Sequence, residues 1–169
     1  MGTDGLISIA ERLAELAATT PHAVLLECGD DVRTAADIET NSNRLAHLFA
    51  SLGVREDDFV TIALPNGVTF IESVFAIWKL GATPQPVSPK LPGAELEAIV
   101  ELADPSLVLG VDPARLPGRI VLPVGFAIPT DIPSSPQPVR FARFNRAPTS
   151  GGSTGRPKLI IDRRPAAVY

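Results

Sequence analysis

The segment Phe59-Val60-Thr61-Ile62-Ala63-Leu64 places five apolar residues in six, with no alternation of polar and apolar side chains. A strand of that kind is covered on both faces, which in a soluble chain calls for a parallel sheet packed between helices. The surrounding sequence supplies them. Phe70, Val74, Ile77 and Trp78 recur at helical spacing after the turn Pro65-Asn66-Gly67, and Gly81 stops that helix. Thr83 to Val87 extends again, Pro92 to Ala103 reads as helix, and Leu107 to Val111 reads as strand. Strands alternating with helices predict an α/β fold with parallel βαβ units.

Upstream, Leu6, Ile7, Ile9, Leu13, Leu16 and Ala17 follow helical spacing, and Ala23 to Cys28 reads as a strand ending at Gly29. Thr34 with Asp37 forms a capping-box-like start for the stripe Ile38, Leu45, Leu48, Phe49 and Leu52, with Gly53 as the residue beyond the helix. Downstream, from Gly110 to Val139, seven of the chain's seventeen prolines punctuate short apolar pieces such as Ile120 to Leu122. That stretch reads as a surface connection carrying one short strand, and no internal repeat is present.

A chain of 169 residues with 45% hydrophobic content and mean hydropathy of +0.20 has room for one packed domain. No apolar run reaches membrane-spanning length, and the N-terminus lacks the pattern of a signal peptide, so a cytoplasmic location and no membrane partner are expected. Cys28 stands alone, which excludes an internal disulfide, suits a reducing compartment and reads as a small buried hydrophobe. His22 and His47 have no metal-ligand partners in sequence, and no metal ligands are identified.

The chemistry concentrates in Thr149-Ser150-Gly151-Gly152-Ser153-Thr154-Gly155-Arg156-Pro157-Lys158, between two strand-like flanks. Gly151, Gly152 and Gly155 allow the backbone to expose N–H groups to an anion. Thr149, Ser150, Ser153 and Thr154 offer hydroxyls, and Lys158 a mobile point charge suited to phosphate oxygens. Pro157 disfavours helix at Arg156, so the loop differs from the Walker pattern, which opens a helix; no G-x-G-x-x-G dinucleotide fingerprint is present either. A Gly/Ser linker is the bland alternative, but linkers seldom lead into a run such as Leu159-Ile160-Ile161, which reads as a buried strand.

From Ser135 onward seven basic residues face Asp162 alone, giving a net +6, whereas the remainder carries −10. Such a tail suits a positive field around a phosphate site better than nucleic acid, because only Phe141 and Phe144 supply aromatic faces before the loop.

The loop resembles the signature phosphate loop of the adenylate-forming superfamily, which includes acyl-CoA synthetases, peptide-synthetase adenylation domains and luciferases. Thr154, Gly155, Pro157 and Lys158 match its invariant end, and Ser153 a hydroxyl position. Gly151 and Gly152 stand where the family usually has a serine and a glycine, and Leu159 replaces the usual glycine. This variant is similar to that of CoA ligases acting on bulky terpenoid or steroid-like acids. Val60 to Asn66 and Trp78 to Pro89 resemble early core motifs of the same family, so the likeness covers nearly the whole chain.

The resemblance implies the N-terminal part of an adenylate-forming large domain over residues 1–169, with a mixed, mostly parallel sheet, flanking helices and the phosphate loop at 149–158. It implies that ATP and a carboxylic acid give acyl-AMP and pyrophosphate, with Mg²⁺ on the phosphates, before the acyl group passes to a thiol, usually coenzyme A. The family's catalytic lysine and small C-terminal domain have no counterpart here, so the 169 residues alone are expected to be inactive and to associate with the remainder of the same enzyme. No convincing magnesium carboxylate is visible; Asp162 is close in sequence, but after a strand it is as readily a turn residue. Self-association stays open, as do two other readings: a ligase that only transfers acyl from a supplied adenylate to CoA, and a non-catalytic binding or scaffold fragment.

Overall fold

The computed structural model describes residues 5–150 and 157–168. The elements in chain order are β1 (Ile7–Ser8), α1 (Ile9–Thr19), β2 (Val24–Cys28), β3 (Asp31–Thr34), α2 (Ala35–Ser51), β4 (Phe59–Ile62), α3 (Val68–Lys79), β5 (Thr83–Pro86), α4 (Gly93–Ala103), β6 (Leu107–Leu109), β7 (Val121–Leu122) and β8 (Ala167–Val168). A 3-10 turn, Pro113–Arg115, lies between β6 and β7.

The central sheet has the order β5-β4-β6-β7, and every pairing in it is parallel. The connection from β4 moves outward to β5, and the next returns across β4 to β6. Right-handed crossovers in opposite directions put their helices on opposite faces of a sheet. That is the arrangement here. On one face Leu45, Ala46 and Phe49 of α2 and Ala76 and Ile77 of α3 cover Val60, Ile62, Leu107 and Leu109. On the other, Leu96 and Val100 of α4 cover Ala63, Val108 and Val111. The unalternating run at β4 is thus buried from both sides, with Val60, Thr61 and Ile62 all fully buried.

Local signals set several boundaries. The Thr34 hydroxyl accepts from the Asp37 N–H at 3.2 Å while the Asp37 carboxylate accepts from the Thr34 N–H at 2.9 Å, a reciprocal capping box. Gly53 and Gly81 follow α2 and α3 with φ of +106° and +71°, terminating both helices. Between the helices Lys79 donates to Glu39 at 2.7 Å, with the two side chains only 6% and 13% exposed. The Glu39 carboxylate also accepts from Asn43 at 3.0 Å. Burial pulls the Lys79 ammonium below the usual lysine range, opposed by its hydrogen bond and charge contact with Glu39.

Three expectations are corrected. Leu6 and Ile7 precede α1, and Ile7–Ser8 instead pairs antiparallel with Ala167–Val168. The strand ending at Cys28 is one arm of an antiparallel hairpin with Asp31–Thr34, standing outside the central sheet. Cys28 is therefore exposed rather than buried, as are Val24, Leu25 and Val32. The short strand expected in the proline-rich connection is β7, the sheet's edge. No helix among the described residues is long and apolar enough to cross a membrane.

Candidate functional site

In open α/β sheets, ligands bind beyond the carboxyl ends of the parallel strands. Here β4 is followed by Ala63, Leu64 and the turn Pro65-Asn66-Gly67, and β5 by Val87-Ser88-Pro89. Between these ends and α4 lies a cleft of about 350 Å³. Its walls are largely apolar, including Phe70, Pro86, Leu91 and Ile99, and its polar groups are Asn66, Ser88, Glu95, Thr149 and Ser150.

A two-stranded antiparallel ribbon brings in Thr149 and Ser150. The Asp162 N–H donates to the Arg146 carbonyl at 2.9 Å, the Ile160 N–H to Pro148 at 2.8 Å, and the Ser150 N–H to Lys158 at 2.9 Å. Arg146 faces Asp162 and Thr149 faces Leu159 across the ribbon. The Ala147 N–H donates to the Pro84 carbonyl at 3.0 Å, fastening the ribbon to the outer edge of β5. On α3, the Trp78 indole N–H donates to the Asn145 carbonyl at 2.9 Å, which anchors the rim of the site.

The ribbon closes at Ser150 and Lys158, where the Lys158 N–H also reaches the Ser150 hydroxyl at 3.3 Å. The structure therefore brings Thr149, Ser150 and Lys158 together at the base of the expected phosphate loop. Gly151, Gly152, Ser153, Thr154 and Gly155 lie outside the described residues. Ile160 is 55% exposed, which corrects the expectation of a buried strand at 159–161: nothing among the described residues packs over this side chain.

Asp162 is occupied elsewhere. Both its oxygens accept from the Arg164 guanidinium, at 2.9 and 2.6 Å, and it also accepts the Arg164 N–H at 3.2 Å. Those contacts hold its carboxyl down at about 2. This is turn chemistry, one of the two readings that the sequence left open. No group of three or more His, Cys, Asp or Glu gathers as a metal site among the described residues.

Sequence alone does not single out Asn66, Ser88 and Glu95 as site residues. Their signal is positional: each follows a run expected to be a parallel strand or opens the next helix, where ligands collect in this architecture.

A sequence model of the family described as "AMP-binding enzyme" matches residues 13–136. Malpinin synthetase of Mortierella alpina is 33% identical over 150 residues, spanning 83% of this chain and 2% of that protein. A dimodular nonribosomal peptide synthase of Bacillus subtilis is 27% identical over 170 residues, 94% of this chain and 7% of that protein. The chain thus spans a small part of the length of either relative. Among solved structures, o-succinylbenzoate coenzyme A synthetase from Bacillus subtilis, in complex with AMP, superposes with a TM-score of 0.80 at 20% identity. That match covers 92% of this chain and 42% of the other.

Proposed function

Because the chain belongs to the AMP-binding enzyme family, we propose that residues 149–158 hold the polyphosphate of ATP in an adenylate-forming acid–thiol ligase, of which residues 1–169 form the N-terminal portion. A carboxylate oxygen attacks the α-phosphorus of ATP, the bond to the bridging oxygen breaks, and pyrophosphate leaves with that electron pair. The thiol of coenzyme A then attacks the acyl carbon, releasing AMP and forming the thioester.

The observation that carries this reading is the closure of the ribbon at Ser150 and Lys158, beside the carboxyl ends of β4 and β5. In this role Thr149 and Ser150 supply hydroxyl donors from the cleft wall, and Gly151, Gly152, Ser153, Thr154 and Gly155 supply backbone N–H groups and hydroxyls. Lys158 offsets the charge that develops on the departing pyrophosphate. ATP and AMP fit such a donor set, which contains no carboxylate between Thr149 and Lys158 to repel phosphate.

The test is ATP–pyrophosphate exchange driven by carboxylic acids in the full-length protein. Lys158→Ala is expected to reduce exchange by about 10²–10³-fold with little change in thermal stability, since Lys158 is exposed. Exchange that survives the substitution would remove Lys158 from the phosphate site. Thioester formation from a synthetic acyl-adenylate without any exchange would instead mark a ligase that only transfers the acyl group.

One observation favours a second thiol. The dimodular nonribosomal peptide synthase aligns over 94% of this chain and is named for a peptide product, not a coenzyme A ester. A thiol borne on a carrier protein is therefore the alternative acceptor. Comparing free coenzyme A with a pantetheinylated carrier as acceptor separates the two.

A further inference from the structure

The ribbon that presents Thr149, Ser150 and Lys158 is joined to β5 and α3 by two hydrogen bonds. One is a backbone bond, from the Ala147 N–H to the Pro84 carbonyl. The other comes from a side chain: the Trp78 indole N–H, at the end of α3, donates to the Asn145 carbonyl at 2.9 Å. Among the described residues, the remaining side-chain hydrogen bonds of 145–150 and 158–164 join Lys158 to Ser150 and Arg164 to Asp162, and so stay within the ribbon. Trp78 is therefore the side chain through which α3 holds the ribbon.

Its position gives that bond leverage on both strands. While the Asn145 carbonyl accepts from Trp78, the Asn145 N–H donates to the carbonyls of Asp162 at 3.2 Å and Arg164 at 2.8 Å, on the chain that returns from Lys158. Packing between the ribbon and the body is incomplete at this point. A cavity of about 180 Å³ opens there, bounded by Val74 and Trp78 on the helix, Pro84 and Pro86 on the strand, and Asn145 and Arg146 on the ribbon. Atoms that line a void lack contacts on that side, so the indole bond carries more of the positioning. The indole is itself held in place. Phe75 meets it edge to face, with 5.6 Å between ring centroids and 89° between planes.

We propose that Trp78 is a positioning residue for the phosphate loop: its indole N–H, acting through Asn145 and the ribbon, sets where Thr149, Ser150 and Lys158 meet the polyphosphate of ATP. The role rests on the assignment of residues 149–158 to that polyphosphate. Trp78 does not line the cleft beside Ser150, so its effect on the nucleotide is indirect. A tether that favours the binding geometry of the loop is in turn favoured by the ligand, because coupled equilibria are reciprocal. AMP has no β- or γ-phosphate for the loop to hold, so the coupling belongs to ATP and not to AMP.

Calorimetric titration of the full-length protein with ATP and with AMP tests this. Trp78→Phe keeps an aromatic ring and removes the donor. It is expected to weaken ATP by about three- to tenfold, the worth of one hydrogen bond, and to leave AMP unchanged. Val74→Ala enlarges the same cavity without touching the tether, and is expected to lower thermal stability while both nucleotides bind as before. Lys158→Ala separates the role from the assignment beneath it. ATP binding that Lys158→Ala leaves intact would overturn the assignment and the role together. ATP binding weakened by Lys158→Ala but not by Trp78→Phe would overturn the role alone. Equal weakening of ATP and AMP by Trp78→Phe would do the same, since general damage does not distinguish them. If Trp78→Phe does not fold, hydrogen exchange of the Trp78 indole proton in the wild type decides: ATP is expected to slow it and AMP to leave it unchanged. Equal exchange with the two nucleotides would overturn the role.

Discussion

Replacing Glu39 by alanine is expected to lower the unfolding free energy by about 3–5 kcal/mol, because it strands the Lys79 ammonium in the protein interior. The two side chains are 13% and 6% exposed and meet at 2.7 Å between α2 and α3. Removing one partner leaves the other's desolvation uncompensated, whereas replacing both with leucine is expected to be close to neutral. Denaturant midpoints of Glu39→Ala and of the double leucine variant measure the difference.

The pH response provides an independent check. Burial already pulls Lys79 below its ordinary value of 10.5. Between the folded and unfolded values the unfolded chain binds more protons, so stability rises with pH through that interval. Without Glu39, the two interactions that hold the ammonium charged are lost and the folded value drops further. Glu39→Ala should therefore recover stability as pH is raised from neutral toward 10.5, more than the wild type does over the same range. A flat response would mean that water reaches Lys79 in the variant.

Gly110→Ala is expected to have a comparable effect by a different route. Gly110 has φ of +85°, and a Cβ there would sit 2.6 Å from the Ala63 carbonyl carbon and 2.7 Å from the Leu64 nitrogen. Those atoms are backbone at the end of β4, fixed by the bond from the Ala63 N–H to the Leu109 carbonyl at 2.8 Å, and cannot rotate away. The backbone conformation costs about 1–3 kcal/mol, and pushing strands apart adds about 1–3 kcal/mol more. Gly118 has nearly the same φ, +84°, with nothing within 4 Å of the point a methyl would occupy. Gly118→Ala is therefore expected to show the conformational cost alone. Equal losses in the two variants, read from urea unfolding, would mean that the end of β4 yields to the methyl.

What can be read from sequence is what depends on neighbours in the chain. The reciprocal contacts of Thr34 and Asp37 span one helical turn, and the apolar run at β4 reports two-sided burial through composition alone. The glycine, hydroxyl and lysine pattern of 149–158 is likewise local, and the structure accounts for its stem: Thr149, Ser150 and Lys158 come together through backbone bonds of the ribbon. The β2–β3 hairpin is harder to see because β3 offers a single apolar residue, Val32; its local signal is the two-residue Gly29-Asp30 link between Cys28 and Asp31. Without the hairpin, Cys28 reads as a core residue.

Other features have no local signature at all. Thr61 and Gln85, fully buried on adjacent strands, hydrogen-bond to each other across the register of β4 and β5. Neither can be identified as buried before the pairing is known. The bond from Trp78 to Asn145 is of the same kind, since it joins α3 to the ribbon.

The pairing of Ile7 with Val168 has a consequence for the order in which the molecule assembles. The β4–β5 and β4–β6 contacts close short stretches of chain through intervening helices, whereas β1 and β8 close a loop that runs from Ser8 to Ala167. Closing so long a loop for two residues of ladder is entropically unfavourable until the rest is in place. Among the described strands the β1–β8 ribbon should therefore zip last and open first, a clasp on a body already formed. Hydrogen exchange would show it: the Ile9 amide, which donates to the Ala166 carbonyl at 3.0 Å, should exchange well before the amides of β4.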